Sequence, residues 1–150
     1  MLVHLTSHPK AADPPSIEVE IEQISPSFGE IFKQAKAAED YELFDIAGVG
    51  YRKALEFLIK DYCIGKDPDN ADVVKRKLLG RVIADHVSDA NVKQCARFAA
   101  WLGNDETHYE RRWVDKDIDD LKTLIRLTCN WIVSAVLTEQ YSNEMDEATN

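Results

Sequence analysis

Basic residues are the scarce class in this chain: 18 lysines and arginines stand against 27 acids, giving a net charge of -9. Proteins that track phosphate backbones draw their affinity from a basic face that releases counterions. Nucleic-acid binding over most of this surface is therefore disfavoured, whereas a basic partner protein suits it. Long apolar runs are also missing. Nowhere does the sequence approach the roughly 20 apolar residues that a membrane-spanning helix needs. The opening MLVHLTSHPKAADPP lacks the basic head, apolar centre and small-residue cleavage site of a secretory signal, so a cytoplasmic protein is expected. Cysteine is sparse: Cys63, Cys95 and Cys129 are odd in number, far apart and form no Cys-x-x-Cys pair. Each falls in an apolar helical context and reads as a buried free thiol in a reducing compartment. No metal site and no cofactor is expected. Neither Gly48-x-Gly50 nor Gly103 has the context of a phosphate-cradling loop, and no Ser-His-Asp or Cys-His set can be assembled.

What is present fits one domain. The 150 residues are 45% apolar and 30% charged, which is ample for a core and too short for two ordinary domains. Residues 1–24 read as a flexible leader and an extended arm, residues 25–140 as a helical domain, and residues 141–150 as a disordered acidic tail. His4 and His8 have the spacing of a metal pair on a helix, but Pro9 argues against a helix there. In SIEVEIEQISP, Ile17, Val19 and Ile21 alternate with Glu18, Glu20 and Glu22, a period of two that predicts a short strand or arm.

The period then becomes helical. Ser27 and Glu30 have capping-box spacing, and Phe28, Ile31, Phe32, Ala35 and Ala38 mark a face that ends near Tyr41. A second helix is predicted over LFDIAGVGYRKALEFLIKDYCIG, ended by Gly65 and Pro68, with Arg52 and Glu56 one turn apart and able to pair. Its Gly48 and Gly50 point to close helix packing. A third helix is expected from Asn70 or Asp72 to Ala84, and a fourth is capped by Ser88 or Asp89 and closed by Gly103 in the left-handed conformation. Lys75, Arg76, Lys77 and Arg81 are the one concentrated basic patch and read as a solvated face. In the last helix Asp117, Asp119 and Asp120 favour the positive end of the dipole. Its main stripe is Ile118, Leu121, Ile125, Thr128, Ile132 and Val136, and Leu124, Leu127 and Trp131 form a second stripe beside it. Two stripes predict burial on two sides, one of them against another subunit, hence a homodimer. The expected architecture is all-α: a single bundle of about five helices with a short extended N-terminal arm.

The stretch WLGNDETHYERRW gathers polar groups directly after an apolar helix. Together with GVGYRKALEFLIKDY and DIDDLKTLIRLTCNWI it resembles the bacterial family known as domain of unknown function 4145, a branch of the HEPN-like (higher eukaryotes and prokaryotes nucleotide-binding) helical superfamily. The likeness runs over roughly residues 27–140 and keeps its order. It implies a HEPN-like bundle, dimers with a composite cleft, and a setting in phage defence or nucleic-acid processing. The zinc ribbon that some of those proteins carry has no counterpart here. Active HEPN ribonucleases cut RNA without metal, using an arginine, a polar residue and a histidine. Histidine moves the proton of a ribose hydroxyl and arginine offsets phosphate charge. On that pattern His108 matches the histidine and Asn104 the polar residue, but Gly103 stands where arginine belongs.

A glycine offers no charge to a pentacovalent phosphorus, and Asp105, Glu106 and Glu110 crowd the same histidine. The stretch is therefore read as a structural joint of Gly103, Asn104, Asp105, His108, Arg111 and Arg112. In that reading His108 bonds a carboxylate or carbonyl, Arg111 and Arg112 pair with Glu56 or the acids near Asp117, and Trp113 docks on the core. The corresponding function is a non-catalytic, dimeric protein-interaction module. Two alternatives stand beside it. One is a metal-independent ribonuclease using His108 and Asn104, with Arg97 or Arg111 reaching in; the other is an acidic inhibitor that imitates nucleic acid.

Overall fold

The computed structural model describes residues 16–149, so the leader, His4 and His8 lie outside the described residues. Seven α-helices follow one another among the described residues: α1 Val19–Ile24, α2 Pro26–Asp40, α3 Phe44–Lys66, α4 Ala71–Arg76, α5 Leu79–His86, α6 Ala90–Asp105 and α7 Ile118–Thr149. One 3-10 turn, Pro68–Asn70, precedes α4, and no strand occurs among the described residues. The structure is an all-helical bundle.

The apolar spacing in α3 explains why this helix is central. Ala47, Tyr51, Ala54, Leu55, Leu58, Ile59, Tyr62 and Cys63 are all buried, covering about half of its circumference. A helix apolar on so many sides must be enclosed, and α3 touches every other helix. Two antiparallel hairpins do most of the enclosing. The first is α2–α3, turned at Glu42, which takes a left-handed φ of 62° while the Leu43 amide returns to the Ala38 carbonyl. Gly50 lets these helices close up, since a Cβ there would sit 2.9 Å from Ala35 Cβ. The second hairpin is α6–α7, joined by residues 106–117. A polar tie links the two: the Tyr51 hydroxyl donates to Glu39 Oε1 at 2.6 Å, and Lys122 of α7 reaches the same oxygen at 3.0 Å.

Several elements differ from the sequence expectation, each for a local reason. The alternating segment is helix α1 and no strand. Ile17, Ile21 and Ile24 fall at helical intervals as well as Ile17, Val19 and Ile21 at strand intervals, and a short apolar run cannot separate the two periods. Ile21 ends fully buried, with Ile17 and Ile24 packed against the core. The cap of α2 is Ser25, two residues before the expected Ser27, because Pro26 with its fixed φ takes the first helical position. The third helix is broken in two, with Lys77 and Leu78 extended between α4 and α5, whereas Gly80 sits inside α5. Gly65 likewise lies inside α3, one residue before its end. The tail from Tyr141, read as disordered, continues α7 through Thr149 with every side chain exposed. Seven helices replace the expected five by these two additions, α1 and the split.

Ser25 carries more than a cap. Its Oγ accepts from the Phe28 amide at 3.2 Å and donates to Asp61 Oδ2 at 2.5 Å, all in a fully buried position that fastens α1 and α2 to α3. Ser25→Ala is expected to cost about 1–3 kcal/mol, because it removes a helix cap and strips a partner from a carboxylate. Urea unfolding followed by circular dichroism checks this, and a loss below about 0.5 kcal/mol would contradict it.

Candidate functional site

The polar stretch begins inside α6. Asp89 caps this helix, its Oδ1 accepting from the Asn91 and Val92 amides at 3.0 and 2.9 Å, and Val92, Ala96, Ala99 and Leu102 face inward as expected, with Cys95 only partly covered. Gly103, however, is helical and buried, and the helix runs on to Asp105. No glycine among the described residues has a positive φ. The glycine is there for room. A Cβ on Gly103 would lie 2.7 Å from Arg52 Cγ and 3.1 Å from Arg52 Cβ. Gly48 of α3 makes a second close approach one turn away, since a Cβ there would overlap the Glu106 carboxylate. Two glycines thus make room for a side chain of the facing segment: Gly103 for the Arg52 stem and Gly48 for the Glu106 carboxylate.

That approach sets the hydrogen bonds. With its stem against Gly103, Arg52 donates through Nε to Asn104 Oδ1 at 3.3 Å and through Nη1 to Glu56. Lys60 holds the other Glu56 oxygen at 2.8 Å. Burial raises the pKa of Glu56, but the hydrogen bonds from Lys60 and Arg52 outweigh it and hold the carboxyl below its ordinary value. The Arg52–Glu56 pair expected from the sequence is present, and Asn104 is drawn into it.

Beyond α6 the chain turns back, with Thr107 and His108 amides returning to the Asn104 and Asp105 carbonyls. The residue that pins the turn is Asp105. Nearly fully buried, its Oδ2 accepts from the Trp113 amide at 2.5 Å, closing the loop on itself. Trp113 then packs on the core, as expected, and its ring lies parallel to Trp101 at 6.0 Å. Phe98 tilts against Trp101 at 5.4 Å, and the Arg97 guanidinium lies 5.6 Å from the Phe98 ring centre and 5.7 Å from that of Trp101. This ladder was not foreseen from sequence. Its signal is Trp101 itself, which stands off the inward stripe of α6.

The roles expected of His108 and the arginines change. The His108 side chain is exposed and makes no hydrogen bond among the described residues, so the fastening belongs to Asp105 and Asn104. Arg111 pairs neither with Glu56 nor with Asp117; it meets Glu106 at 3.1 Å and donates to the Lys116 carbonyl at 2.9 Å. Burial pushes the Glu106 carboxyl up, Arg111 pulls it down, and Asp45, Asp105 and Asp117 add to the upward shift that results. Arg112 has no ion pair among the described residues and lines an open cleft of about 450 Å³ with Asn104, His108 and the two tryptophans. Arg97 is committed to the aromatic ladder and Arg111 to Glu106, so neither is the guanidinium beside His108.

Other candidate features resolve simply. Asp117 and Asp120 cap α7 reciprocally, each carboxylate accepting from the other's amide at 3.0 and 3.1 Å. In the basic patch Lys77 and Arg81 share Asp85 at 3.0 and 3.4 Å, while Lys75 and Arg76 face solvent. Cys63 and Cys129 are buried free thiols, with burial pushing them up to about 11 and about 12. No group of three His, Cys, Asp or Glu side chains able to hold a metal occurs among the described residues, and no helix there is long and apolar enough to cross a membrane.

Two predictions follow from the joint. Gly103→Ala is expected to destabilise the fold by about 1–3 kcal/mol through overpacking, and Gly103→Arg by more, because α6 must lift off α3; thermal melts of the two variants test the order. Glu56→Gln is expected to cost about 1 kcal/mol at pH 7, the range for a partly exposed ion network. The native pKa of Glu56 is depressed, so its contribution is present above the ordinary carboxylate value of 4.5 and is lost as pH falls through the lower native value. Wild type and variant should therefore converge in acid, and a constant gap from pH 7 to pH 3 would refute the assignment. No family model, no curated protein and no solved structure matches the chain.

Proposed function

We propose that this chain is a non-catalytic, self-associating protein-interaction module, akin to degenerate HEPN-like domains of the domain of unknown function 4145 type. The observation that carries the reading is the fit of Gly103 against Arg52. The position preceding Asn104 is filled by packing, and the nearest guanidinium, that of Arg52, is spent on Glu56 and Asn104. Metal-free cleavage of RNA needs a cation held where negative charge develops on phosphorus. Here Asn104 and Asp105 work as fasteners of a loop. The exposed Leu127 and Trp131 on α7 support self-association, since large apolar side chains aligned on one helix face gain by being covered. The net charge of -9 agrees with a basic partner for such a dimer.

One observation favours a second reading, a metal-independent ribonuclease centred on His108. Asn104, His108 and Arg112 line the same open cleft, and Arg112 has no carboxylate partner among the described residues. The two readings separate in one experiment. Single-stranded RNA incubated with the protein in excess chelator is expected to remain intact, at the same level as with His108→Ala. Cleavage that disappears in His108→Ala and in Arg112→Ala would replace the first reading with the second.

A further inference from the structure

We propose that two copies of this chain pair through antiparallel α7 helices crossing near Ser134, with the acidic end of each helix lying beside Arg97 and Arg112 of the other copy. The proposal rests on the self-association read above and specifies its surface. Helix α7 is 32 residues long, roughly 48 Å at 1.5 Å per residue, and its last turns project beyond the bundle. From Leu124 the positions Leu127, Trp131, Ser134, Thr138, Tyr141 and Met145 follow at alternating intervals of four and three, the repeat with which one helix packs along another. From Leu127 onward, past Leu124 which packs on the core, the stripe is uncovered: Leu127 is 36% exposed, Trp131 40%, Tyr141 59% and Met145 65%. Tyr141 and Met145 touch no core among the described residues, so a partner would cover apolar surface that the bundle leaves open.

Charge selects the occupant and its direction. After Arg126 the helix has no lysine or arginine, and Glu139, Glu144, Asp146 and Glu147 gather toward its C-terminal end. Acids at that end oppose the helix dipole. Glu139 is answered by Lys66 at 3.3 Å, but Glu144, Asp146 and Glu147 have no cation among the described residues. A parallel pair would set these acids against their own copies. An antiparallel pair sets them against the opposite half of the helix. Because Asn91 and Trp131 line one groove and α6 runs antiparallel to α7, Arg97 lies level with Ile125 and Trp101 level with Leu121. A two-fold axis at Ser134 places Asn143 and Glu144 opposite the first level and Glu147 opposite the second on the other copy. Arg97, held over the Phe98 and Trp101 rings, and Arg112 then supply the cations missing from the acidic end. Ser134 at the crossing is small enough for the helices to approach.

Sedimentation of the full chain at micromolar concentration is expected to give a dimer that weakens as salt screens the charge pairs. Tyr141→Lys/Met145→Lys is expected to give a monomer with unchanged helix content, since neither side chain supports the bundle. Arg97→Glu/Arg112→Glu and Glu144→Arg/Glu147→Arg should each weaken the dimer, and mixing the two variants should restore it. Direction is read by oxidation. Ser134→Cys should cross-link to itself, and Leu127→Cys should cross-link with Tyr141→Cys but not with itself. A monomeric wild type, a dimer that persists in the double lysine variant, or self-cross-linking of Tyr141→Cys overturns the proposal. A monomeric wild type would also remove self-association from the reading above, whereas the other two outcomes would overturn only this surface; His108-dependent cleavage of RNA would sink the non-catalytic reading and leave the dimer standing.

Discussion

The contact between the Arg52 stem and Gly103 is the constraint on which the rest of the site depends. It requires a residue without a side chain at position 103, and the guanidinium that results from it reaches Glu56 on its own helix and Asn104 on the next. Once α6 is seated this closely, Asp105 is buried and its carboxylate must find a donor. The donor is the Trp113 amide, so the following loop folds back over the helix end. Packing thus dictates the hydrogen bonds, and the hydrogen bonds dictate the path of the loop. A charged side chain at position 103 is incompatible with the first step of that chain of causes.

The same constraint separates fastening groups from presented ones. Asn104, Asp105 and Glu106 are turned inward and committed, whereas His108, Tyr109 and Arg112 are exposed on the outside of the turn. The aromatic ladder of Phe98, Trp101 and Trp113 lies between the two sets, part core and part surface. A buried polar group without a partner costs free energy comparable to a lost hydrogen bond, which is why the two covered acids, Asp105 and Glu106, each have a donor.

Much of the bundle was legible in the sequence because long helices repeat their signal many times. The inward faces of α3, α6 and α7, the Arg52–Glu56 pair and the aspartate cap of α7 follow from spacing alone. Short elements did not announce themselves. Around α1, Ile17 and Ile21 belong to a strand spacing with Val19 and to a helical spacing with Ile24, and tertiary packing of Ile21 decided the matter. The joint was legible as a joint, yet its members were misassigned. Sequence identifies His108 as the unusual residue; only three dimensions show that Asp105 is buried and therefore is the one that must be satisfied. Gly103 could be read as a helix terminator or as a contact point, and the choice depends on a neighbour 51 positions earlier, Arg52, that no local pattern reveals.

The loop closed by Asp105 and Trp113 is built to tolerate changes of length. Its two ends are fixed, one by a carboxylate and the other by an indole against the core; Arg111 adds a tie to Glu106, and the chain between the ends carries no regular structure. Loop-closure entropy grows only with the logarithm of length, about 0.6 kcal/mol for each doubling. Insertions and deletions between the two anchors are therefore nearly neutral for the bundle. Residues 106–112 can therefore be lengthened or given other side chains while the glycine seat beneath them keeps α6 against α3.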